Sequence, residues 1–420
     1  MRHHVRTDFE RVVVTGMGAV TPIGNSVDQF WNALIRGESG ITEVKEFPVN
    51  NLKSRIAGIV KHFNVDSLIG RNGSKKIDRF CQFALVASDQ AIKDSGLPLE
   101  QMNRSRIGIY VGSAAGGIKT LLEQAEINEV RGPHRVSPAL SAMMISNMAP
   151  ALISMKYGIY GPTISPVTAC SIGNTAIGEA YRSIRYGELD AVIAGATEAP
   201  INNLSLASFG NAAAISSRNH EPTRASRPFD ANRDGFVLAE GAGILVLESL
   251  THALQRGAYI HAEVIGYGTS SDAFHMVMPH PEGVGAYNAM KMAIQEAKIN
   301  LGDIDVISAH ATSTRAGDRI ETLAIKKLFG ERAARIPITG NKSMTGHSMG
   351  ASSSLEAIAL IKTLQHNIIP PTINQEEQDP ECDLDYVPNF ARENKMRIGI
   401  SNSFGFGGHN AVIAMRAFNN

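Results

Sequence analysis

Short runs rich in β-branched residues alternate with longer helix-like segments along this chain. Val12-Val-Val14, Ile107-Gly-Ile-Tyr-Val111, Ala191-Val-Ile-Ala194, Ile244-Leu-Val-Leu247, Asp305-Val-Ile307 and Ile398-Gly-Ile400 read as strands. Residues 82–95, 175–186, 286–297 and 321–329 read as helices. Such alternation predicts an α/β architecture, with sheets covered by helices. A weak internal repeat runs through it. In each half a strand is followed by a turn of small residues that opens a helix, at Cys170 in the first half and at His347 in the second. Two pseudo-symmetric halves would carry both side chains to one shared site.

Composition excludes several classes. Lys plus Arg and Asp plus Glu both number 40, so the formal net charge is zero and nothing indicates a nucleic-acid or membrane-surface protein. Three widely separated cysteines, Cys81, Cys170 and Cys382, lack metal-ligand spacing and fit a reducing compartment. The stretch 1–10 has no apolar segment typical of a signal peptide, and no run approaches the ~20 apolar residues of a membrane span. A cytoplasmic, soluble protein is expected, with 43% hydrophobic residues available for a large core.

Cys170 lies in Pro166-Val-Thr-Ala-Cys-Ser-Ile-Gly-Asn174, where a β-rich run delivers a thiol to a helix start. A lone cysteine is ordinarily a small core residue. Here the unpaired N–H groups of a helix N-terminus would favour the thiolate. Two further segments supply partners: Ser308-Ala-His310-Ala-Thr-Ser-Thr314 and Lys342-Ser-Met-Thr-Gly-His347. Each histidine alone has an ordinary structural reading, as a strand-end or capping residue. Together with one thiol and a lysine they read as a site for acyl transfer and carbon–carbon bond formation. Lys342 and Glu321 are candidates for a supporting ion pair. The loop Ser401-Asn-Ser-Phe-Gly-Phe-Gly-Gly-His-Asn410 could bring backbone N–H groups close to a ligand. Gly16-Met-Gly-Ala-Val-Thr21 lacks the third glycine of a dinucleotide fingerprint and is assigned to turn and packing.

These residues closely resemble the elongating β-ketoacyl-[acyl carrier protein] synthases with a Cys-His-His triad. The resemblance spans nearly the whole chain: Val13-Val-Thr-Gly-Met-Gly-Ala-Val-Thr-Pro22, Ala225-Ser-Arg-Pro-Phe-Asp230, Arg233-Asp-Gly-Phe-Val237, Cys382-Asp-Leu-Asp-Tyr-Val-Pro388 and Asn402-Ser-Phe-Gly-Phe-Gly-Gly408. It implies a thiolase-like fold of two α/β halves in five layers (α-β-α-β-α), here residues 1–262 with the nucleophile and 263–420 with the two histidines. By the same resemblance Cys170 takes the acyl chain, and His310 and His347 act on the malonyl thioester. Lys342 orders the site, with the acidic Glu321 near it. Thr312 and Thr314 hold the pantetheine arm. Phe406 is a gating residue, with Phe404 beside it, and its N–H pairs with that of Cys170 as an oxyanion hole. No metal or protein-bound cofactor is implied, because the 4'-phosphopantetheine arrives on the carrier protein.

Two departures stand out. Ala311 occupies the usual glycine of the His-x-Thr motif, and Gly346-His-Ser-Met-Gly-Ala-Ser-Ser-Ser354 is more serine-rich than the usual Ala/Gly run. The second, with Asp379-Pro-Glu-Cys-Asp-Leu-Asp-Tyr386, also resembles type II polyketide ketosynthase subunits. The partners implied are an acyl carrier protein and a second subunit: an identical chain or, in the polyketide reading, a cysteine-lacking chain-length factor. Carrier docking is assigned to the basic residues Arg71, Lys75, Lys76, Arg79 and Arg135. The apolar stretch 138–157, with Met143, Met144, Ile145, Met148, Leu152, Ile153 and Met155, is assigned to a dimer interface.

Overall fold

The computed structural model describes residues 9–419; residues 1–8 of the N-terminal stretch read above lie outside the described residues. Ten strands form one continuous sheet: β1 (Val12–Val20), β2 (Ile107–Gly112), β3 (Thr163–Ile164), β4 (Ala191–Glu198), β5 (Gly241–Ser249), β6 (Ala262–Ser271), β7 (Val306–Ser308), β8 (Ile338–Thr339), β9 (Ile398–Gly405) and β10 (His409–Ala417). Their spatial order is β8-β7-β9-β10-β6-β1-β5-β4-β2-β3. The order is palindromic about the β6–β1 contact. On one side β1–β5 and β5–β4 are antiparallel while β4–β2 and β2–β3 are parallel. On the other, β6–β10 and β10–β9 are antiparallel while β9–β7 and β7–β8 are parallel. Within the sheet the two halves pair through Val12–Val14 against Ala262–Val264. Thus the repeat read from two helix starts extends to every strand of the sheet.

Helices close the faces. They are α1 (Arg79–Ser95), α2 (Met148–Tyr157), α3 (Ile172–Arg185), α4 (Val284–Glu296), α5 (Arg315–Phe329) and α6 (Gly350–His366). Strands buried on both faces must be apolar at every position, and β5 shows how the alternation is used. Ile244 and Val246 pack outward with Phe83, Ala87 and Ala91 of α1. Leu245 and Leu247 point inward, into the core that holds Ile177 and Tyr181 of α3 and Leu355 and Ile358 of α6. In the second half Val412 and Ala414 face Ala289 and Met290 of α4, while Ile413 and Met415 join the central core. The layers therefore run outer helices, sheet, α3 with α6, sheet, outer helices, as the resemblance implied.

Gly16-Met-Gly18 keeps its packing role and loses its turn. The segment lies inside β1, not in a turn. Its glycines are there because α1 presses onto the strand. A Cβ on Gly16 would lie 2.1 Å from the Ala91 carbonyl oxygen, and one on Gly18 1.9 Å from that of Ala87. Both distances are well inside van der Waals contact. Among the described residues no helix is long and apolar enough to cross a membrane.

Candidate active site

Cys170 occupies a single helical turn, Ala169–Ser171, immediately before α3. The preceding Ala169 has φ +50°, a left-handed conformation uncommon for a residue with a side chain. This kink turns the thiol away from the helix axis into a cavity of about 490 Å³. The opposite wall comes from the other half. Ser403 Oγ donates to the Cys170 carbonyl at 2.9 Å. Gly405 approaches so closely that a Cβ there would meet the Thr168 carbonyl oxygen at 2.8 Å and the Cys170 nitrogen at 3.1 Å. That approach sets the Phe406 N–H near Cys170, where it and the N–H of Cys170 itself both favour the thiolate. Both are backbone donors that the sequence reading paired as an oxyanion hole.

Both histidines reach the same cavity. His347 lies three residues before α6, its N–H donating to the Val237 carbonyl at 2.7 Å. Its Nε2 stands 3.1 Å from Cys170 Sγ. His310 follows β7, and its ring centroid lies 5.6 Å from that of His347 and 5.7 Å from that of Phe404. Thr312 and Thr314 line the cavity with their hydroxyls 3.0 Å apart, and Thr314 also caps α5. Ala311 has φ +42°, which explains the glycine usual at this position: the loop needs the left-handed region whichever residue stands there. Its conformation is held by Glu321, whose carboxylate accepts the N–H groups of His310 and Ala311, each at 2.9 Å, and Asn402 Nδ2 at 3.1 Å.

Glu321 therefore shapes the His310 loop and is not the ion-pair partner of Lys342, which corrects the sequence reading. Lys342 Nζ donates to Glu356 Oε1 at 2.5 Å and to the His310 carbonyl at 2.6 Å, with both side chains almost fully buried. The sequence did carry a signal for Glu356, the lone acid of helix α6, set in a run of small and apolar residues from Gly350 to Ile361. Glu198 was also missed. It is fully buried at the end of β4 and accepts hydrogen bonds from Ser113, Ala114 and Ala115. Burial raises the carboxyls of Glu198 and Glu356 to about 7.

The thiol differs from expectation. Burial pushes Cys170 up to about 11, and this outweighs the Lys342 ammonium and the two N–H groups, all of which favour the thiolate. The helix-start argument had the right sign for its own contribution and missed the larger one. Burial also holds His310 and His347 well below the usual imidazole range, with Lys342 adding to both. At neutral pH the site is a neutral thiol between two neutral imidazoles.

The docking candidates fare unevenly. Arg71, Lys75, Lys76 and Arg135 are exposed and lie outside the cavity wall. Arg79 is corrected to a structural residue. Its guanidinium holds Glu240 at 2.7 Å and sits 4.6 Å from the Phe83 ring centroid. The cation actually in the cavity wall is Arg315, the first residue of α5.

Residues 9–253 match the beta-ketoacyl synthase N-terminal domain and residues 261–376 the beta-ketoacyl synthase C-terminal domain. The chain is 45% identical over 409 residues to a 3-oxoacyl-[acyl-carrier-protein] synthase 2 of Synechocystis, covering 97% of this chain and 98% of that one. Among solved structures it resembles the ishigamide ketosynthase/chain length factor (TM-score 0.92, 36% identity, 98% and 100% of the two chains). It also resembles a type II polyketide acyl-carrier protein in complex with its ketosynthase bound to the hexaketide (TM-score 0.90, 35% identity, 98% and 100%). The chain belongs to the beta-ketoacyl synthase family. It is an acyltransferase of the kind that forms carbon–carbon bonds by condensation.

The electrostatics predict a chemical signature. Alkylation of Cys170 by iodoacetamide should accelerate about tenfold per pH unit from about pH 7 to 9, following the thiolate fraction, with no plateau. Lys342→Met removes a charge that favours the thiolate and should slow alkylation at every pH in that range. A rate that levels off below about pH 8 would contradict the raised thiol.

Proposed function

We propose that this chain carries an acyl group on Cys170 and condenses it with malonyl-acyl carrier protein, with loss of CO2, to give a β-ketoacyl-acyl carrier protein in fatty-acid elongation. The observation that carries the reading is His347 Nε2 of the second half standing 3.1 Å from Cys170 Sγ of the first, with the Phe406 and Cys170 N–H groups favouring the thiolate there. Cys170 Sγ attacks the acyl thioester carbonyl as the thiolate, the bond to the carrier sulfur breaks, and that sulfur leaves and takes up the proton Cys170 has lost. The two N–H groups then lie where the acyl carbonyl oxygen develops charge. His310 and His347, as neutral donors, face the malonyl thioester oxygen. Cleavage of the carboxyl bond places an electron pair on the α-carbon as an enolate. That carbon attacks the acyl carbonyl, a new carbon–carbon bond forms, and Cys170 leaves as thiolate. Thr312 and Thr314 hold the pantetheine arm in the cavity mouth. No protein-bound cofactor enters any step.

Neutral imidazoles suit this division of labour. An imidazolium would present a charge to the carrier's malonyl carboxylate and resist its departure as CO2, whereas a neutral N–H stabilises the enolate oxygen without holding the carboxylate. Lys342 orders the site through the His310 carbonyl. Arg71, Lys75, Lys76 and Arg135 offer exposed cations to an acidic carrier protein, an attraction that salt would weaken.

Mass spectrometry after incubation with an acyl-carrier thioester should place the acyl group on Cys170 and on neither Cys81 nor Cys382. His347→Ala should still accept the acyl group while condensation falls on the order of 10²–10³-fold, the usual cost of one lost donor. Acylation that persists in Cys170→Ala, or equal loss of both half-reactions in His347→Ala, would refute these roles.

The functional unit is a homodimer in this reading. β3 is an edge strand with an unpaired side, and Ile164, Val167, Tyr160, Met155, Ile145 and Met144 around it are exposed. An exposed apolar patch beside an open sheet edge is a surface that association removes from water. Ile153 of the same stretch is buried within the subunit, so only part of 138–157 serves this role. A heterodimer with a chain-length factor is the second reading, favoured by the likeness to the ishigamide pair. Light scattering on the chain expressed alone should give a dimer active in elongation, and Met155→Asp with Val167→Asp should shift it toward monomer. A chain inactive until a second subunit is added would promote the polyketide pathway.

A further inference from the structure

The serine-rich departure after His347 has a geometric consequence. Ser352, on the first turn of α6, places its Oγ 3.2 Å from His347 Nδ1, 2.9 Å from the Ser348 nitrogen and 3.1 Å from Ser348 Oγ. All of these side chains are buried. One hydroxyl therefore serves three neighbours with one hydrogen and two lone pairs. The Ser348 N–H can only donate, so it takes one lone pair. Two arrangements of the remaining hydrogens are left.

In the first, Ser348 O–H donates to Ser352 Oγ, Ser352 O–H donates to His347 Nδ1, and the imidazole carries its proton on Nε2. In the second, His347 Nδ1–H donates to Ser352, Ser352 donates to Ser348 Oγ, and the Ser348 hydroxyl hydrogen is left over. Among the described residues Ser348 Oγ has no hydrogen-bond partner besides Ser352. The second arrangement thus strands a buried O–H donor, which the first avoids, and buried polar hydrogens are rarely left unpaired. The two histidines are not equivalent in this respect. His310 Nδ1 is buried without a hydrogen-bond partner among the described residues, so no protein group there fixes the tautomer of that ring.

We propose that Ser352 is a positioning residue for His347: it locks the imidazole in the Nε2–H tautomer and aims that N–H at the reacting atoms beside Cys170. The proposal deepens the condensation reading above and rests on it for its catalytic consequence. It also removes His347 as a base for the Cys170 thiol, because the nitrogen 3.1 Å from the sulfur already bears a proton. The proton count closes with every hydroxyl hydrogen of the Ser348–Ser352–His347 chain placed on an acceptor.

The test is nitrogen-15 NMR of the full chain labelled at histidine, with both half-reactions measured in parallel. His347 should show a protonated Nε2 and an unprotonated, hydrogen-bonded Nδ1. Ser352→Ala should abolish the hydrogen-bonded Nδ1 signature and lower the condensation kcat on the order of tenfold to a hundredfold, the scale of a misplaced catalytic group. Acylation of Cys170 in that variant should stay within about twofold of wild type, which shows a folded site. Ser352→Thr, which keeps the hydroxyl, should restore the signature and the rate. A wild-type His347 protonated on Nδ1, or a Ser352→Ala variant that condenses at the wild-type rate, overturns the proposal. Failure of the condensation reading looks different: wild-type Cys170 would then not be acylated at all.

Discussion

The buried ammonium of Lys342 is the interaction on which the rest of the site depends. It spans the Glu356 carboxylate on α6 and the His310 carbonyl after β7, and so ties the helix that His347 precedes to the loop that carries His310. Burying such a pair is costly, and its removal by halves typically costs ~3–5 kcal/mol. The pair also has an electrostatic reach. The same cation favours the Cys170 thiolate and disfavours protonation of both imidazoles. One charge therefore biases all three side chains toward the states that condensation requires.

Pseudo-symmetry explains how a thiol at position 170 and histidines at 310 and 347 come together. Equivalent helices, α3 and α6, lie side by side between the two halves of the sheet, and each is preceded by its own functional residue. Asn174, in the first turn of α3, donates to the Ser401 and Ala411 carbonyls and fixes α3 against the second half. The site lies where the repeats meet. Neither half alone can pair a nucleophile with its donors.

Much of this was legible in the sequence because the signals are local. A kinked cysteine before a helix, a histidine after a strand, and glycines in a loop are written in consecutive residues. The strands and helices read from alternation all appear, most of them longer than their apolar signal. What escaped was decided by distant contacts. Lys342 takes Glu356 and not Glu321 because Glu321 is already occupied by two backbone N–H groups, a fact of tertiary packing. The thiol is raised because desolvation exceeds the pull of the N–H groups and the cation, and burial depth cannot be read from a motif. Gly16 and Gly18, assigned to turn and packing, lie within β1 because α1 presses on that strand, a distant contact. Arg79 looked like one of a row of surface cations, yet it closes an internal bridge to Glu240.

Burial and Lys342 together hold His310 and His347 neutral beside Cys170. A pH titration of the labelled histidines, followed residue by residue through their ring nitrogens, tests it directly. Both rings should stay neutral as the pH falls through the ordinary histidine transition near about 6.5. Either ring gaining its proton near that ordinary value would contradict this.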